Sequence, residues 1–296
     1  MRWESLREEE FEEAIARSKG LCVIPLACLE KHGQHLPVGT DYYEANEIAL
    51  NAAQEEYAVV FPTGPWLGDV AGYHARIEPQ KNHGGIGLDP MLVIRTLEAL
   101  ADEIARNGFT KILIFNEHGG NLPLLKILLR RHEQQKKPYA LLCTDADDFE
   151  GCEPGPFLKT ITENRAEFPM ITDEDIQVMR RWAVTGYHGG HADFIETANV
   201  FATHPEQVAP DRYDAEDGMN NHCTDYLSDL GVGLKGSWSA RYPNMYAGMA
   251  PHGCSEGIGL AMMKLHVRRA ARIFRKIKNE DICLDCLQAR DKAETV

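Results

Sequence analysis

Leu21-Cys22-Val23-Ile24-Pro25-Leu26, followed closely by Glu30-Lys31-His32-Gly33-Gln34-His35-Leu36-Pro37-Val38-Gly39-Thr40-Asp41, is the stretch on which the reading of this chain turns. The apolar run has the length and composition of a buried strand. In the extended chain beyond it, alternate residues point to the same side, so Glu30 and His32 can offer an oxygen and a nitrogen to one ion. Asp41, past a turn, can close the cluster.

Working outward, three more β-rich apolar runs read as strands: Tyr57 to Pro62, Lys111 to Asn116 and Tyr139 to Thr144. Helical spacing fills the gaps over Tyr43 to Glu56, Met91 to Asn107 and Leu122 to Lys136, and a last helix is expected over Glu256 to Lys278. Strands alternating with helices imply parallel pairing and a sheet covered on both faces, hence an α/β fold: a three-layer α/β/α sandwich with a mainly parallel central sheet. Residues 1–296 are expected as one domain, with 150–190, rich in Pro, Gly and charge, as an inserted lid-like excursion.

Composition narrows the partners. A formal net charge of -14 argues against nucleic acid or an anionic membrane, because like charge repels the chain from phosphate. The N-terminus is rich in Glu and Arg and no apolar stretch approaches a membrane span, so a cytoplasmic protein is expected. Eight scattered cysteines then stay reduced. Cys22, Cys28 and Cys143 sit in apolar runs and read as small core residues, and Cys283-x-x-Cys286 reads as a solvated tail.

In sheets of this kind ligands gather beyond the carboxyl ends of the strands. Glu30 and His32 follow the first run and His118 follows the third, within Asn116-Glu117-His118-Gly119-Gly120-Asn121. A further cluster is His191-Ala192-Asp193-Phe194-Ile195-Glu196-Thr197. Glu30, His32, Asp41, His118 and Glu196 supply the mixture of carboxylates and imidazoles that a catalytic divalent ion needs, and Asp41 can bridge two. His191 is the natural group to carry protons to and from the substrate. Glu117 has two readings of equal weight, tuning metal charge or accepting a substrate hydroxyl against turning outward. His74, His83, His132, His204, His222 and His266 read as structural residues, Asp145, Asp147 and Asp148 as a solvated loop, and Trp66, Trp182 and Trp238 as core or pocket wall.

At these residues the sequence resembles the creatininase (creatinine amidohydrolase) family. Glu30 to Asp41 matches its first signature, Glu-x-His-Gly-x-His-Leu-Pro-x-Gly-Thr-Asp, in full. Asn116 to Asn121 matches the second, with Glu117 in place of glycine. His191, Ala192, Glu196 and Thr197 match the third, with Asp193 in place of glycine. Gly248 to Pro251 and Ser255 to Gly257 are similar to its closing loop and helix start.

The resemblance implies a three-layer α/β fold, commonly a homohexamer, using two divalent metals to hydrolyse amide-type C–N bonds of small or cyclic substrates. It makes Glu30, His32, Asp41 and His118 metal ligands, with Asp41 bridging, and His191 the proton shuttle. Where creatininase itself carries a metal-binding glutamate, two residues after the His of the second signature, this chain has Gly120, and Glu196 is taken as the missing ligand. Zinc is the first choice of metal, with manganese or iron also fitting. The expected function is hydrolysis of a small polar, cyclic substrate, with metal-activated water attacking its carbonyl. Related members with similar signatures deformylate a pyrimidine precursor, trim a peptide or hydrolyse a ring C–C bond of a diketo-inositol, and this last is the alternative activity. From another class, a non-catalytic metabolite-binding protein on the same scaffold predicts a metal-free chain without turnover.

Overall fold

The computed structural model describes residues 1–69, 83–145, 151–187, 189–228, 230–232 and 237–280. His74, Asp147, Asp148, His188, Cys283 and Cys286 lie outside the described residues. The strands are β1 (Leu21–Leu26), β2 (Val59–Val60), β3 (Lys111–Asn116) and β4 (Ala140–Cys143). They pair in the order β2-β1-β3-β4, all parallel. The principal helices are α1 (Phe11–Arg17), α2 (Thr40–Glu55), α3 (Pro90–Arg106), α4 (Leu122–Glu133), α5 (Pro154–Glu163), α6 (Asp173–Ala183), α7 (Phe194–Thr203) and α8 (Glu256–Asn279).

Strand alternation divides the core into two layers. Cys22, Ile24 and Leu26 of β1, with Ile112 and Ile114 of β3, pack against Leu97 of α3 and Leu125 and Leu128 of α4. The intervening Leu21, Val23, Leu113 and Phe115 face the other way, onto Ile48 and Ala49 of α2 and Val267 and Phe274 of α8. Each Val, Leu, Ile or Phe among them, removed from water, contributes roughly 1.5–3 kcal/mol. The three-layer α/β/α arrangement is therefore present.

Proline is tolerated inside β1 because of where it falls. Val23 accepts a bond from the Phe61 N–H on the β2 side, and Pro25 directs its missing donor to that same side, beyond the two residues of β2. The second run is thus a much shorter strand than Tyr57 to Pro62, and α4 stops at Glu133 rather than Lys136. Helix α2 begins earlier than expected, which places Asp41 in its first turn.

The described part of the expected excursion carries α5 and α6. Phe157, Ile161, Val178, Met179 and Trp182 bury against Ile195 and Ala198 of α7 and Ile258 and Met262 of α8. This third apolar cluster fixes the end of α7. A β-carbon at Gly259 would stand 2.2 Å from the Ala198 carbonyl oxygen, so α8 crosses α7 at a distance only glycine allows. Among the described residues, no helix is long and apolar enough to cross a membrane.

Candidate metal centre

Each cluster reaches the site on a different element. Glu30 and His32 lie on the segment leaving β1, His118 just past β3, and Asp41 in the first turn of α2. Glu196 is in the first turn of α7, where Asp193 caps the helix by accepting from the Ile195 and Glu196 N–H groups. Carboxylates at both helix starts lie on the favourable end of the macrodipole. Tyr187 donates to the second Asp193 oxygen, so Asp193 is occupied in holding α7. His191 is fixed by paired backbone bonds of 2.9 Å with Ala247, which tie it to the loop before α8.

The five expected ligands converge. Asp41 Oδ1 lies 2.7 Å from His32 Nε2, and Asp41 Oδ2 lies 2.9 Å from His118 Nδ1. Glu196 Oε2 is 3.5 Å from His32 Nε2, and Glu30 Oε1 is 3.3 Å from His118 Nδ1. His191 Nδ1 completes the group at 3.5 Å from Glu30 and 3.9 Å from Glu196. All are buried.

Backbone carbonyls set which nitrogen of each imidazole faces inward. His118 Nε2 donates to the Asp69 carbonyl at 2.9 Å, His32 Nδ1 to Glu30 at 3.1 Å, and His191 Nε2 to Lys31 at 2.8 Å. The remaining nitrogens, His118 Nδ1, His32 Nε2 and His191 Nδ1, all point at carboxylates. Outer hydrogen bonds of this kind orient metal-binding imidazoles. Asn121 reinforces the arrangement, accepting from the Asp69 N–H at 2.7 Å and donating to Asn116, which donates to the His118 carbonyl. A β-carbon at Gly120 would stand 2.3 Å from His118 Nε2, so glycine leaves room for that ring.

The electrostatics ask for a cation. Burial pulls His118 down, but Glu30 and Asp41 more than offset it and hold the imidazole at about 10. Burial likewise opposes charge on His32, and Asp41 and Glu30 raise it nonetheless. Asp41 is held well below its usual range against burial by His32 and His118. Glu196 is pushed well above its range by burial and then by Asp193 and Glu44. Protons here do what a divalent ion does better: neutralise crowded carboxylates that lack water. Oxygen and imidazole donors in this number suit zinc or manganese.

Other residues fall differently. Glu117 is half-buried and stands outside the donor groups formed by the described residues. Its charge reaches Glu44, which burial, Asp41 and Glu117 together push up. Cys28 is not an inert core residue, since its thiol donates to Asp41 Oδ2 at 3.2 Å. Sequence reading passed over it, although the alternation that pairs Glu30 with His32 includes Cys28. Trp238 sets its ring edge-on to His191 with centroids 5.2 Å apart, whereas Trp182 packs on Phe194 and Trp66 is exposed. His204 stacks on Tyr43, His132 accompanies Tyr139 and His222 pairs with Asp225 on the surface.

The creatininase family model, described as creatinine amidohydrolase, matches residues 4–274. The chain belongs to the creatininase family. A creatinine amidohydrolase of Pseudomonas putida is 26% identical over 119 residues, which span 38% of this chain and 43% of that protein. A 2-amino-5-formylamino-6-ribosylaminopyrimidin-4(3H)-one 5'-monophosphate deformylase of Methanobrevibacter ruminantium is 33% identical over 108 residues, 34% of this chain and 39% of that protein. Both matches thus span less than half the length of these relatives. The creatininase fold itself extends through the chain: the crystal structure of creatinine amidohydrolase superposes with a TM-score of 0.65 at 17% identity, covering 94% of this chain and 98% of that one. Creatininases of similar fold include a Mn form and a mutant of Zn-Zn type.

Proposed function

We propose that this creatininase-family protein hydrolyses an amide-type C–N bond in a small polar, cyclic substrate, using two divalent ions held by Glu30, His32, Asp41, His118 and Glu196. The observation that carries the reading is the aim of the imidazoles. Three rings each give one N–H to a backbone carbonyl and turn the other nitrogen into the same nest of carboxylates. A binding protein without metal has no use for this arrangement, which costs buried charge.

When bound, such ions supply Lewis acidity that polarises a carbonyl and makes water acidic enough to react near neutrality. The protein's part is to place and discharge groups around that chemistry. Asp41, with one oxygen toward His32 and the other toward His118, sets the spacing of the two sites. His191 stands at the edge of the cluster, lowered well below the usual imidazole range by burial and by His32. In that neutral form Nδ1 accepts a proton and can pass it to the departing nitrogen. Trp238, beside His191, walls the place where a flat ring would lie. Glu117 is given the lesser part of tuning charge through Glu44.

The deformylase relative supports the same bond class, since a formamide is cleaved at C–N. Zinc is the first metal to try, then manganese and iron. The reading also makes the protein a cytoplasmic homo-oligomer, a hexamer by family resemblance, which sedimentation would test. A screen of lactams, cyclic ureas, formamides and inososes against the metal-loaded and chelator-stripped protein tests the activity. Metal-dependent opening or deformylation of an amide is expected. Ring opening of an inosose alone, or no turnover of any class with both ions bound, would overturn the reading.

A further inference from the structure

Cys28 lies two residues before Glu30, on the same side of the extended segment that carries Glu30 and His32. It forms with Glu30, Asp41 and His118 a buried group whose donor atoms all lie within 4.8 Å of one another. Asp41 Oδ2 is the shared corner, 3.2 Å from the thiol and 2.9 Å from His118 Nδ1. Glu30 Oε1 stands 3.3 Å from that same nitrogen. Around a tetrahedral zinc ion, with nitrogen and oxygen at about 2.0 Å and sulfur at about 2.3 Å, neighbouring ligand atoms are about 3.3–3.5 Å apart. Three of the six separations among these four donors are therefore close to those around a filled tetrahedron. The other such groups among the described residues, His32 with Asp41 and Glu196 and His32 with Glu30 and His191, bring three residues each.

We infer that Cys28 is a ligand of the ion held by Glu30, Asp41 and His118, so that the two sites differ in kind. One is closed by four protein donors including sulfur. The other, at His32, Asp41 and Glu196, keeps a position open, as sites that handle water and substrate do. The inference rests on the two-ion reading above and adds to it a division of labour. The sulfur also sets metal preference, because a soft donor favours zinc or cobalt over manganese at the closed site. As the bond from Sγ to the ion forms, the thiol proton leaves to solvent, with no change of oxidation state.

Cobalt(II) titration of the purified full chain tests this without reference to activity. Thiolate bound to cobalt absorbs in the near ultraviolet through sulfur-to-metal charge transfer, which nitrogen and oxygen ligands do not give. The expected result is about two ions per chain with this band in the unaltered protein, and the same band after Cys283→Ser and Cys286→Ser together. Cys28→Ser should remove the band and weaken one of the two ions by at least about tenfold, the loss that removal of even an outer hydrogen-bond partner causes. If Cys28→Ser does not fold, the band must persist after the exposed Cys223 is also changed to Ser together with Cys283 and Cys286, because among the described residues Cys28 is the one cysteine within a donor group, and loss of the band in that variant would overturn the Cys28 ligand. Two cobalt ions bound with no charge-transfer band would overturn the Cys28 ligand and leave the two-ion reading standing. Failure to bind cobalt, zinc or manganese at all would overturn both.

Discussion

His118 Nδ1 lies 2.9 Å from Asp41 Oδ2, which brings the end of β3 against the first turn of α2. The partner oxygen of the same carboxylate faces His32 at 2.7 Å. One side chain thus joins the two halves of the cluster. Asp41→Asn keeps the shape but replaces one anionic oxygen by an amide that cannot serve as a ligand in the same way. Metal content should fall from about two ions per chain to one or none, with turnover reduced by a hundredfold or more, an effect on the order of 3 kcal/mol. Elemental analysis beside circular dichroism would check it, since an intact fold with full metal content would contradict the bridge.

Gly120→Ala acts on His118 from behind. The added β-carbon would stand 2.3 Å from His118 Nε2 and 2.8 Å from the Asp69 carbonyl oxygen, so the ring must leave its backbone partner. Metal affinity should drop about 10–100-fold, as for other losses of an orienting bond. Gly155→Ala, where nothing lies within 4 Å, is the control and should leave affinity unchanged. Competition with a chromophoric chelator measures both.

His191→Ala removes the inward-facing imidazole while sparing the pairs between Asp41, His32 and His118. Turnover should fall by roughly 10²–10⁴, the usual worth of a general acid or base, with bound metal retained. Near-normal turnover would take His191 out of the mechanism.

Away from the site, Glu56 secures the last helix to the end of α2. It accepts from Lys278 at 2.6 Å and from Arg275 at 2.9 Å, and the Lys278 side chain is only 6% exposed. Burial raises Glu56, but these two cations more than offset it and leave its pKa lowered from 4.5. A lowered carboxylate stabilises the fold above its unfolded pKa, and that stability disappears as pH falls through the folded value. Glu56→Gln should therefore cost about 2 kcal/mol at neutral pH by leaving a buried ammonium poorly paired, and progressively less as pH falls through the lowered folded value of Glu56. Urea unfolding at pH 7 and at a series of lower pH values measures the difference, and a cost that stays the same down to the acid limit of folding would contradict it.

Much of this was legible in the chain. The strands after which Glu30 and His118 follow are bounded by the residues expected, because Leu21 to Leu26 and Ile112 to Phe115 are apolar throughout and the whole of both strands is buried. Tyr57 to Pro62 read too long, since periodicity reports burial and not ladder pairing. The convergence of Glu30, His32, Asp41, His118 and Glu196 came from local alternation and motif spacing. What spacing could not supply were contacts made by carbonyls and by residues distant in sequence: Asp69 behind His118, Lys31 behind His191, Ala247 beside it. Cys28 was hidden by its apolar neighbours, which made a thiol facing Asp41 look like one more core residue.

The central claim is that Asp41 stands between two metal ions. Crystals grown with zinc or manganese, with diffraction recorded at the absorption edge of the metal, test it most directly. Two anomalous peaks are predicted, one among Glu30, Asp41 Oδ2 and His118, the other among His32, Asp41 Oδ1 and Glu196. Peaks elsewhere, or none within bonding distance of Asp41, would contradict the account.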